Sequence, residues 1–328
     1  MMPNKLKIGD EVRVIAPSRS MKIINAETRE IATKRLTDLG LKVTFGKHVE
    51  MCDDFTSSPI DARLEDLHDA FRDKNVKAIL TVIGGFNSNQ LLSRIEYELI
   101  KENPKIFCGF SDITALSNTI YAKTGLITYS GPHYSSFGMK YGFDYTLDYF
   151  KKMFFEENEI KIESSDVWSN DAWFINQEER DFFKNHGMFT INEGSAEGTI
   201  VGGNLSTLSL LTGTEYMPKF EKNTILFIEN DATVSGSVYI LEFDRMLQAL
   251  IHQPDFKNVS GIVSGRAEKN CDMNPDKWKL MIKNKEELKN IPIIADADFG
   301  HTTPIFAFPI GGHAKLEAKG NTINLSIK

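Results

Sequence analysis

The sequence predicts an α/β protein with an N-terminal domain built on a parallel sheet and a second, β-rich α+β domain. Short, continuous apolar runs alternate with amphipathic segments through the first half of its 328 residues. A long aromatic and polar stretch then interrupts this alternation, and several of the last apolar runs have no helical segment between them. Continuous apolar strands that alternate with helices are typical of a parallel sheet covered on both faces.

The first domain is predicted over residues 1–160. Its expected strands are the runs EVRVIAPS, LKVTFG, VKAILTVIGG, KIFCGF and LITYSGP. Between the second and third strands, SSPIDARLEDLHDAFRD predicts a helix with Ser58 as its N-cap and Pro59 at its first position. Ligands of such sheets bind at the carboxyl ends of the strands, where Gly84, Gly85 and Ser111 fall.

Residues 161–197 form the interruption, and residues 198–328 form the predicted second domain. A connection of this length is either a candidate substrate lid or an ordinary linker. Beyond it, AEGTIVGGN, TILFIEN, VSGIVSG, IPIIADA, IFAFPIGG and NTINLSI predict strands, and SGSVYILEFDRMLQALI predicts a helix.

Composition argues against several classes of function. The net charge of −7, from 38 basic and 45 acidic residues, argues against a general nucleic-acid partner. Neither a signal peptide nor an apolar run of membrane-spanning length is present, so no membrane partner is expected. Three widely spaced cysteines and the absence of any metal-ligand spacing predict no disulfide framework and no metal site, which suits a reducing cytoplasm.

Ser111, in IFCGFSDITAL, has two alternative roles. It follows an apolar strand and precedes a helical segment, so its hydroxyl could cap that helix. A serine on a strand-to-helix turn could equally be a nucleophile, although GFSD matches only half of the G-x-S-x-G pattern. A nucleophile needs a base and an acid from elsewhere in the chain.

His301 and Glu229 are the candidate base and acid. His301 lies in DADFGHTTP, a loop shaped by glycine and proline that follows a buried strand. Glu229 ends the strand TILFIEN, where a carboxylate is costly unless it is paired. Either a histidine or backbone N–H groups could satisfy it. The N–H groups of Gly85 and Asp112 are the candidate donors to an oxyanion.

Five segments resemble the L,D-carboxypeptidase family of serine peptidases: IGGFNSNQLL, GFSDITAL, GTIVGGNLSTL, ILFIEN and FGHTTPIFAFPIG. They occur in the family's order over about residues 5–326. The resemblance implies a two-domain cytoplasmic homodimer that needs no metal or other cofactor. It also implies a triad of Ser111, Glu229 and His301, with Gly85 and Asp112 as the oxyanion hole.

The segments SNDAWFINQEER and NSNQLL resemble the branch that contains the microcin C immunity peptidases. This branch hydrolyses the bond between an amino acid carboxyl and a modified nucleotide, so the expected partner is a small aminoacyl-nucleotide or a peptide. In that branch a loop tryptophan stacks on the base, which points to Trp173, with Trp168 as a competitor. Packing between domains would also explain Trp173, and Asn204 is either a substrate contact or part of a glycine-rich turn.

Two other functions are compatible with the sequence. The other branch of the family trims murein tetrapeptides in cell-wall recycling. A non-catalytic nucleotide-binding module is an alternative of another class, because GGFNSN and VGGNLS could place helix N-termini against phosphates. Neither of the common phosphate-loop patterns is present, however.

Overall fold

The computed structural model describes residues 1–328 and contains sixteen strands. In chain order they are β1 (Glu11–Ile15), β2 (Lys42–Phe45), β3 (Val76–Thr81), β4 (Ile106–Cys108), β5 (Thr128–Ser130), β6 (Ile160–Lys161), β7 (Val167–Trp168), β8 (Phe183–Lys184), β9 (Phe189–Asn192), β10 (Gly194–Asn204), β11 (Thr224–Glu229), β12 (Val259–Gly265), β13 (Ile293–Ala297), β14 (Phe308–Ile310), β15 (His313–Lys319) and β16 (Thr322–Ile327).

Eight α-helices accompany these strands. They are α1 (Ala26–Asp38), α2 (Ile60–Arg72), α3 (Tyr97–Glu102), α4 (Thr114–Thr124), α5 (Asp144–Phe155), α6 (Leu205–Ser209), α7 (Ser237–Ile251) and α8 (Pro275–Lys283). None of them is long and apolar enough to cross a membrane. The α2 helix begins at Ile60, with Pro59 at the N-cap position and no side-chain cap, so the prediction of Ser58 as its cap is wrong.

The chain divides into two compact units. The first unit comprises residues 1–157, 172–180 and 306–308, and the second comprises residues 158–171, 181–305 and 309–328. The segment 161–197 therefore contributes to both units, and it contains three short strands rather than a structureless loop. The domain boundaries drawn from the sequence stay a prediction.

The first unit contributes β1 to β5 and Phe308 of β14 to a six-stranded sheet in the order β14-β5-β4-β3-β1-β2. The pairs β1–β2, β1–β3, β3–β4 and β4–β5 are all parallel, which confirms the predicted parallel α/β domain. Because β3 and β4 are parallel neighbours, the turns that follow them lie at the same edge of the sheet. Gly84 and Gly85 follow β3, and Ser111 follows β4.

The second unit is built on an eight-stranded mixed sheet in the order β6-β16-β15-β10-β11-β12-β13-β9. Strands β10 to β13 are parallel to one another, and the flanking strands add antiparallel pairs. This confirms the sheet-rich second domain. Asn204 and Glu229 are direct partners at the carboxyl ends of β10 and β11.

The close pairing of β10 and β11 generates a prediction about stability. Gly202 has a φ of +142°, and a Cβ at this position would lie 1.9 Å from the carbonyl oxygen of Phe227. We expect Gly202→Ala to reduce the free energy of unfolding by about 2–4 kcal/mol, because strained backbone and overpacking add. Thermal and urea unfolding, followed by circular dichroism, measure the loss.

Gly213→Ala is the matched control for this variant. Gly213 also has a positive φ, of +75°, but a Cβ there would meet nothing within 4 Å. Its replacement should cost only about 1 kcal/mol, from backbone strain alone. Equal losses in the two variants would contradict the collision as the cause.

Candidate active site

Ser111 occupies a left-handed backbone position in the turn after β4. Its φ is +60°, a conformation that costs a residue with a side chain about 1–2 kcal/mol. Ser111 is the first residue of a 3₁₀ turn, and the N-cap position is held by Phe110, whose side chain cannot cap a helix. The capping role considered from the sequence is therefore wrong. A strained, partly exposed serine between a strand and a helix is instead typical of nucleophile elbows.

Gly84 lies against Ser111. A Cβ on Gly84 would come within 2.9 Å of the Ser111 Cβ and 3.1 Å of its Oγ, and within 3.5 Å of the Asp112 backbone nitrogen. Gly85, which follows, has an equally crowded Cα: a Cβ there would lie 2.3 Å from the Ser18 Oγ. Only glycines fit in this dipeptide. The structure thus brings Ser111, Gly85 and Asp112 together in the first unit.

The side chain of Asp112 is buried and holds three segments together. The Ser18 hydroxyl donates to its Oδ2 at 2.6 Å, and the Ser88 backbone N–H donates to the same oxygen at 2.9 Å. The Ser88 hydroxyl donates in turn to the Asp112 carbonyl at 2.7 Å. These bonds fix the turns after β1, β3 and β4 relative to one another, so the Asp112 N–H is held in place.

Glu229 and His301 form a hydrogen-bonded pair in the second unit. The imidazole Nδ1 lies 2.7 Å from the Glu229 Oε2, and the side chains are 20% and 3% exposed, respectively. Gly300 permits this approach, because a Cβ there would lie 2.5 Å from the same carboxylate oxygen and because its φ is +103°. Of the two partners proposed for Glu229 from the sequence, the structure provides the histidine.

Three carboxylates act on the imidazole. Burial lowers the pKa of His301, but the charge and hydrogen bond of Glu229 raise it, as do the charges of Asp231 and Glu268. The balance places the pKa of His301 at about 9, well above its usual range. In the free protein at pH 7 this imidazole is therefore mostly protonated, with about 1% in the neutral form that can accept a proton.

Asn204 bridges two of these carboxylates. Its Nδ2 donates to the Glu229 Oε1 at 3.3 Å and to the Asp231 Oδ2 at 3.2 Å. Its Oδ1 caps α6 by accepting from the Thr207 N–H at 3.0 Å. Asn204 therefore fixes the orientation of the Glu229 carboxylate, which orients His301.

The two candidate tryptophans have different surroundings. In the second unit, Trp168 packs against Phe183, with ring centroids 5.0 Å apart, and the Arg266 guanidinium lies over it at 5.2 Å. In the first unit, the ring of Trp173 meets its neighbour Phe174 edge-on, with centroids 6.0 Å apart. No other ring or cation stacks on the faces of Trp173, whereas Trp168 has both kinds of neighbour.

The sequence indicated some members of this site and missed others. Asp231 was within reach, because it follows Glu229 by two residues in the same strand-end loop. No sequence pattern indicated Glu268, which lies about 40 residues from Glu229 in a polar segment. Its charge is near the imidazole because β11, β12 and β13 are neighbours in the sheet. No group of three or more His, Cys, Asp or Glu side chains is placed to hold a metal ion.

Comparison with known families identifies the chain. The model of the LD-carboxypeptidase N-terminal domain matches residues 12–131, and that of the LD-carboxypeptidase C-terminal domain matches residues 197–316. The chain belongs to the LD-carboxypeptidase family. It is accordingly a hydrolase of the carboxypeptidase class and a serine peptidase by family, which confirms the resemblance seen in the sequence.

Curated relatives cover the whole chain. YocD of Bacillus subtilis, named as a carboxypeptidase, is 51% identical over 327 residues, 100% of this chain and 99% of its own. The microcin C7 self-immunity protein MccF of Escherichia coli is 30% identical and covers 98% of this chain and 94% of its own. A protein named as a murein peptide carboxypeptidase, from B. subtilis, is 31% identical and covers 98% and 92%.

Solved structures show the same fold. An MccF-like protein from Bacillus anthracis is 53% identical and superposes with a TM-score of 0.97 over 100% of this chain and 99% of its own. MccF in complex with aspartyl sulfamoyl adenosine is 29% identical and superposes with a TM-score of 0.88 over 100% and 98%.

The pair of Glu229 and His301 generates a prediction about titration. Replacing Glu229 by Gln removes an adjacent charge, so we expect the pKa of His301 to fall from about 9 by about 1–3 pH units. Histidine-labelled protein, titrated by two-dimensional NMR, reports this value directly. Glu197→Gln is the control, since Glu197 lies 3.5 Å from His313 and should leave the His301 titration unchanged. A wild-type pKa near 6.5 would contradict the account.

Proposed function

We propose that this chain hydrolyses an amide-type bond through an acyl-enzyme, with Ser111 as nucleophile, His301 as base and Glu229 as the residue that orients the base. The observation that carries the proposal is the strained φ of +60° at Ser111. Gly84 lies beside it, at a position where any side chain would collide with Ser111. The hydrogen bond between Glu229 and His301 supports it, because it fixes the ring orientation and supplies a counter-charge for the imidazolium.

The proposed steps follow from these assignments. The Ser111 hydroxyl gives its proton to the His301 Nε2 while its oxygen attacks the substrate carbonyl carbon. The oxyanion accepts hydrogen bonds from the backbone N–H groups of Gly85 and Asp112. Collapse breaks the bond to the leaving group, which takes the proton from His301. A water molecule then attacks the acyl carbon and gives its proton to His301. His301 passes this proton to the Ser111 oxygen as the ester bond breaks, which releases the acid and regenerates Ser111.

The substrate that we propose is an aminoacyl-nucleotide. MccF, solved with aspartyl sulfamoyl adenosine, supports this choice, as does the indole of Trp173, whose faces are not covered by another ring or a cation. Stacking on an aromatic face accepts any base and contributes about 1–3 kcal/mol.

We assign this contact to Trp173, and a polar contact with the substrate to Asn204. The proposal includes a cytoplasmic homodimer, as the family resemblance implies.

A murein peptide is the second candidate substrate. The relative named as a murein peptide carboxypeptidase is 31% identical to this chain, against 30% for MccF, so overall similarity does not separate the two. Both substrates would use the same nucleophile and base. A non-catalytic nucleotide-binding module has weaker support, because it would not require the strain at Ser111.

Hydrolysis assays on two substrates test this proposal. We expect purified protein to cleave an aminoacyl sulfamoyl adenosine, and Ser111→Ala to lower kcat by at least about 10³-fold, because no other group can form the acyl-enzyme. A murein tetrapeptide, assayed in parallel, tests the second candidate. Ser260→Ala is the control, since this hydroxyl donates only to the Thr224 carbonyl.

A serine-reactive probe gives a substrate-independent readout. Labelling of the wild-type protein, lost in Ser111→Ala and kept in Ser260→Ala, is the expected pattern. Hydrolysis that persists in Ser111→Ala would contradict the assignment of the nucleophile. Nucleotide binding with neither labelling nor hydrolysis would support the non-catalytic module instead.

Trp173 provides a test of the substrate class. Trp173→Ala should raise KM for the aminoacyl-nucleotide about 5- to 100-fold, because a base stacked on the indole loses about 1–3 kcal/mol. Trp173→Phe should retain most of the affinity. Trp168→Ala is the comparison, and its effect should appear in thermal stability, since Trp168 packs on Phe183 and Arg266. An unchanged KM in Trp173→Ala would exclude stacking at this residue.

A further inference from the structure

Arg19 lies beside the glycine dipeptide that supports Ser111. It follows Ser18 in the turn after β1, and its backbone N–H donates to the Gly84 carbonyl at 3.3 Å. A Cβ on Gly85 would lie 2.6 Å from the Arg19 Cγ and 3.1 Å from its Cδ. Gly84 meets Ser111 and Gly85 meets Arg19, and these consecutive residues have Cα atoms about 3.8 Å apart.

The guanidinium of Arg19 is held at one nitrogen only. Its Nε donates to the Thr56 Oγ1 at 3.0 Å. Thr56 is itself fixed in a left-handed conformation, with a φ of +56°, and its carbonyl accepts from the Ser20 N–H at 2.8 Å. The stem and the Nε are therefore positioned by the protein, while Nη1 and Nη2 have no protein acceptor.

The nearby acidic side chains do not neutralise this cation. Asp53, in the loop that carries Thr56, accepts from the backbone N–H groups of Phe55 and Ser57. Glu50 pairs with Arg29 at 2.5 Å. Arg19 itself forms no ion pair with any carboxylate of the chain. A half-buried arginine with a fixed stem and an unused pair of N–H donors is suited to bind a planar or tetrahedral oxyanion.

We propose that Arg19 binds the anionic group that lies next to the scissile amide of the substrate. This inference rests on the proposed function, because it takes Ser111 as the site of attack. The anion has two chemical sources: the free carboxylate of a carboxy-terminal amino acid, or the phosphoryl or sulfamoyl group of an aminoacyl-nucleotide. In both, the negative charge belongs to the leaving group and lies within a few bonds of the scissile carbonyl.

Two pairs of substrates test this assignment and distinguish the sources. The first pair is a peptide with a free carboxy-terminal carboxylate and the same peptide as its amide. The second pair is an aminoacyl sulfamoyl adenosine and the neutral amide of the same amino acid with 5′-amino-5′-deoxyadenosine. Within each pair the two compounds differ in the anionic group, and the variants compared are Arg19→Gln, Arg19→Lys and Lys22→Gln. Lys22 is a neighbouring exposed cation and serves as the control for general electrostatic attraction.

We expect Arg19→Gln to lower kcat/KM for the anionic member of the hydrolysed pair by about 10- to 100-fold, the value of a charge-assisted hydrogen bond. The neutral member should keep its wild-type value, Arg19→Lys should recover part of the loss, and Lys22→Gln should change neither. Equal losses on the anionic and neutral members would overturn the proposal, because they would show that Arg19 only supports Gly85. No loss on either would overturn it as well.

Binding measurements separate this inference from the proposed function. In Ser111→Ala protein, calorimetric titration should show that adding Arg19→Gln weakens the anionic compound about 10- to 100-fold and leaves the neutral one unchanged. Failure of the proposed function would appear as wild-type protein that hydrolyses none of the four compounds. The titration would still decide the role of Arg19, since equal affinities with and without Arg19, or no binding of any of the four compounds, would overturn it.

Discussion

The hydrogen bond between Glu229 and His301 is the interaction on which the proposed chemistry depends. A carboxylate that is 3% exposed at the end of a buried strand carries a desolvation cost of several kcal/mol unless it is paired. Hydrogen bonds from the imidazole to one carboxylate oxygen and from the Asn204 amide to the other offset this cost. Gly300 makes the contact possible, because any side chain there would occupy the position of the carboxylate.

A comparable arrangement surrounds Ser111, the proposed nucleophile, in the first unit. Ser111 keeps its left-handed backbone because Gly84 leaves room for it and because the Asp112 side chain ties its turn to Ser18 and Ser88. These buried hydrogen bonds therefore keep the backbone of Ser111 in its strained conformation. Ser111 follows the carboxyl end of β4, and Glu229 ends β11; both positions follow from parallel strands, whose carboxyl ends carry the ligand-binding loops of such folds.

The sequence predicted the strands and the residue types of the site better than their local geometry. Continuous apolar runs predicted β3, β4 and β11, because a strand that is buried on both faces needs apolar residues at nearly every position. The alternatives for Ser111 could not be separated, since both roles suit a serine between a strand and a helix and differ only in where the helix begins and in the backbone conformation. Asn204 as a bridge between carboxylates, and Glu268 as a charge near the imidazole, depend on which strands become neighbours, and no local pattern carries that information.

The raised pKa of His301 has a consequence for activity that reaches beyond the identity of the triad. Three carboxylates favour the protonated form of His301 at pH 7, so the proposed reaction requires loss of that proton before attack. The pH dependence of kcat/KM reports the pKa of the free enzyme and tests this requirement directly. We expect kcat/KM to rise about tenfold per pH unit up to about pH 9. In Asp231→Asn, which removes one of the three charges, this rise should level off at a lower pH. A kcat/KM that levels off near pH 6.5 in the wild-type protein would contradict the raised pKa of His301, as would a pH dependence that Asp231→Asn leaves unchanged.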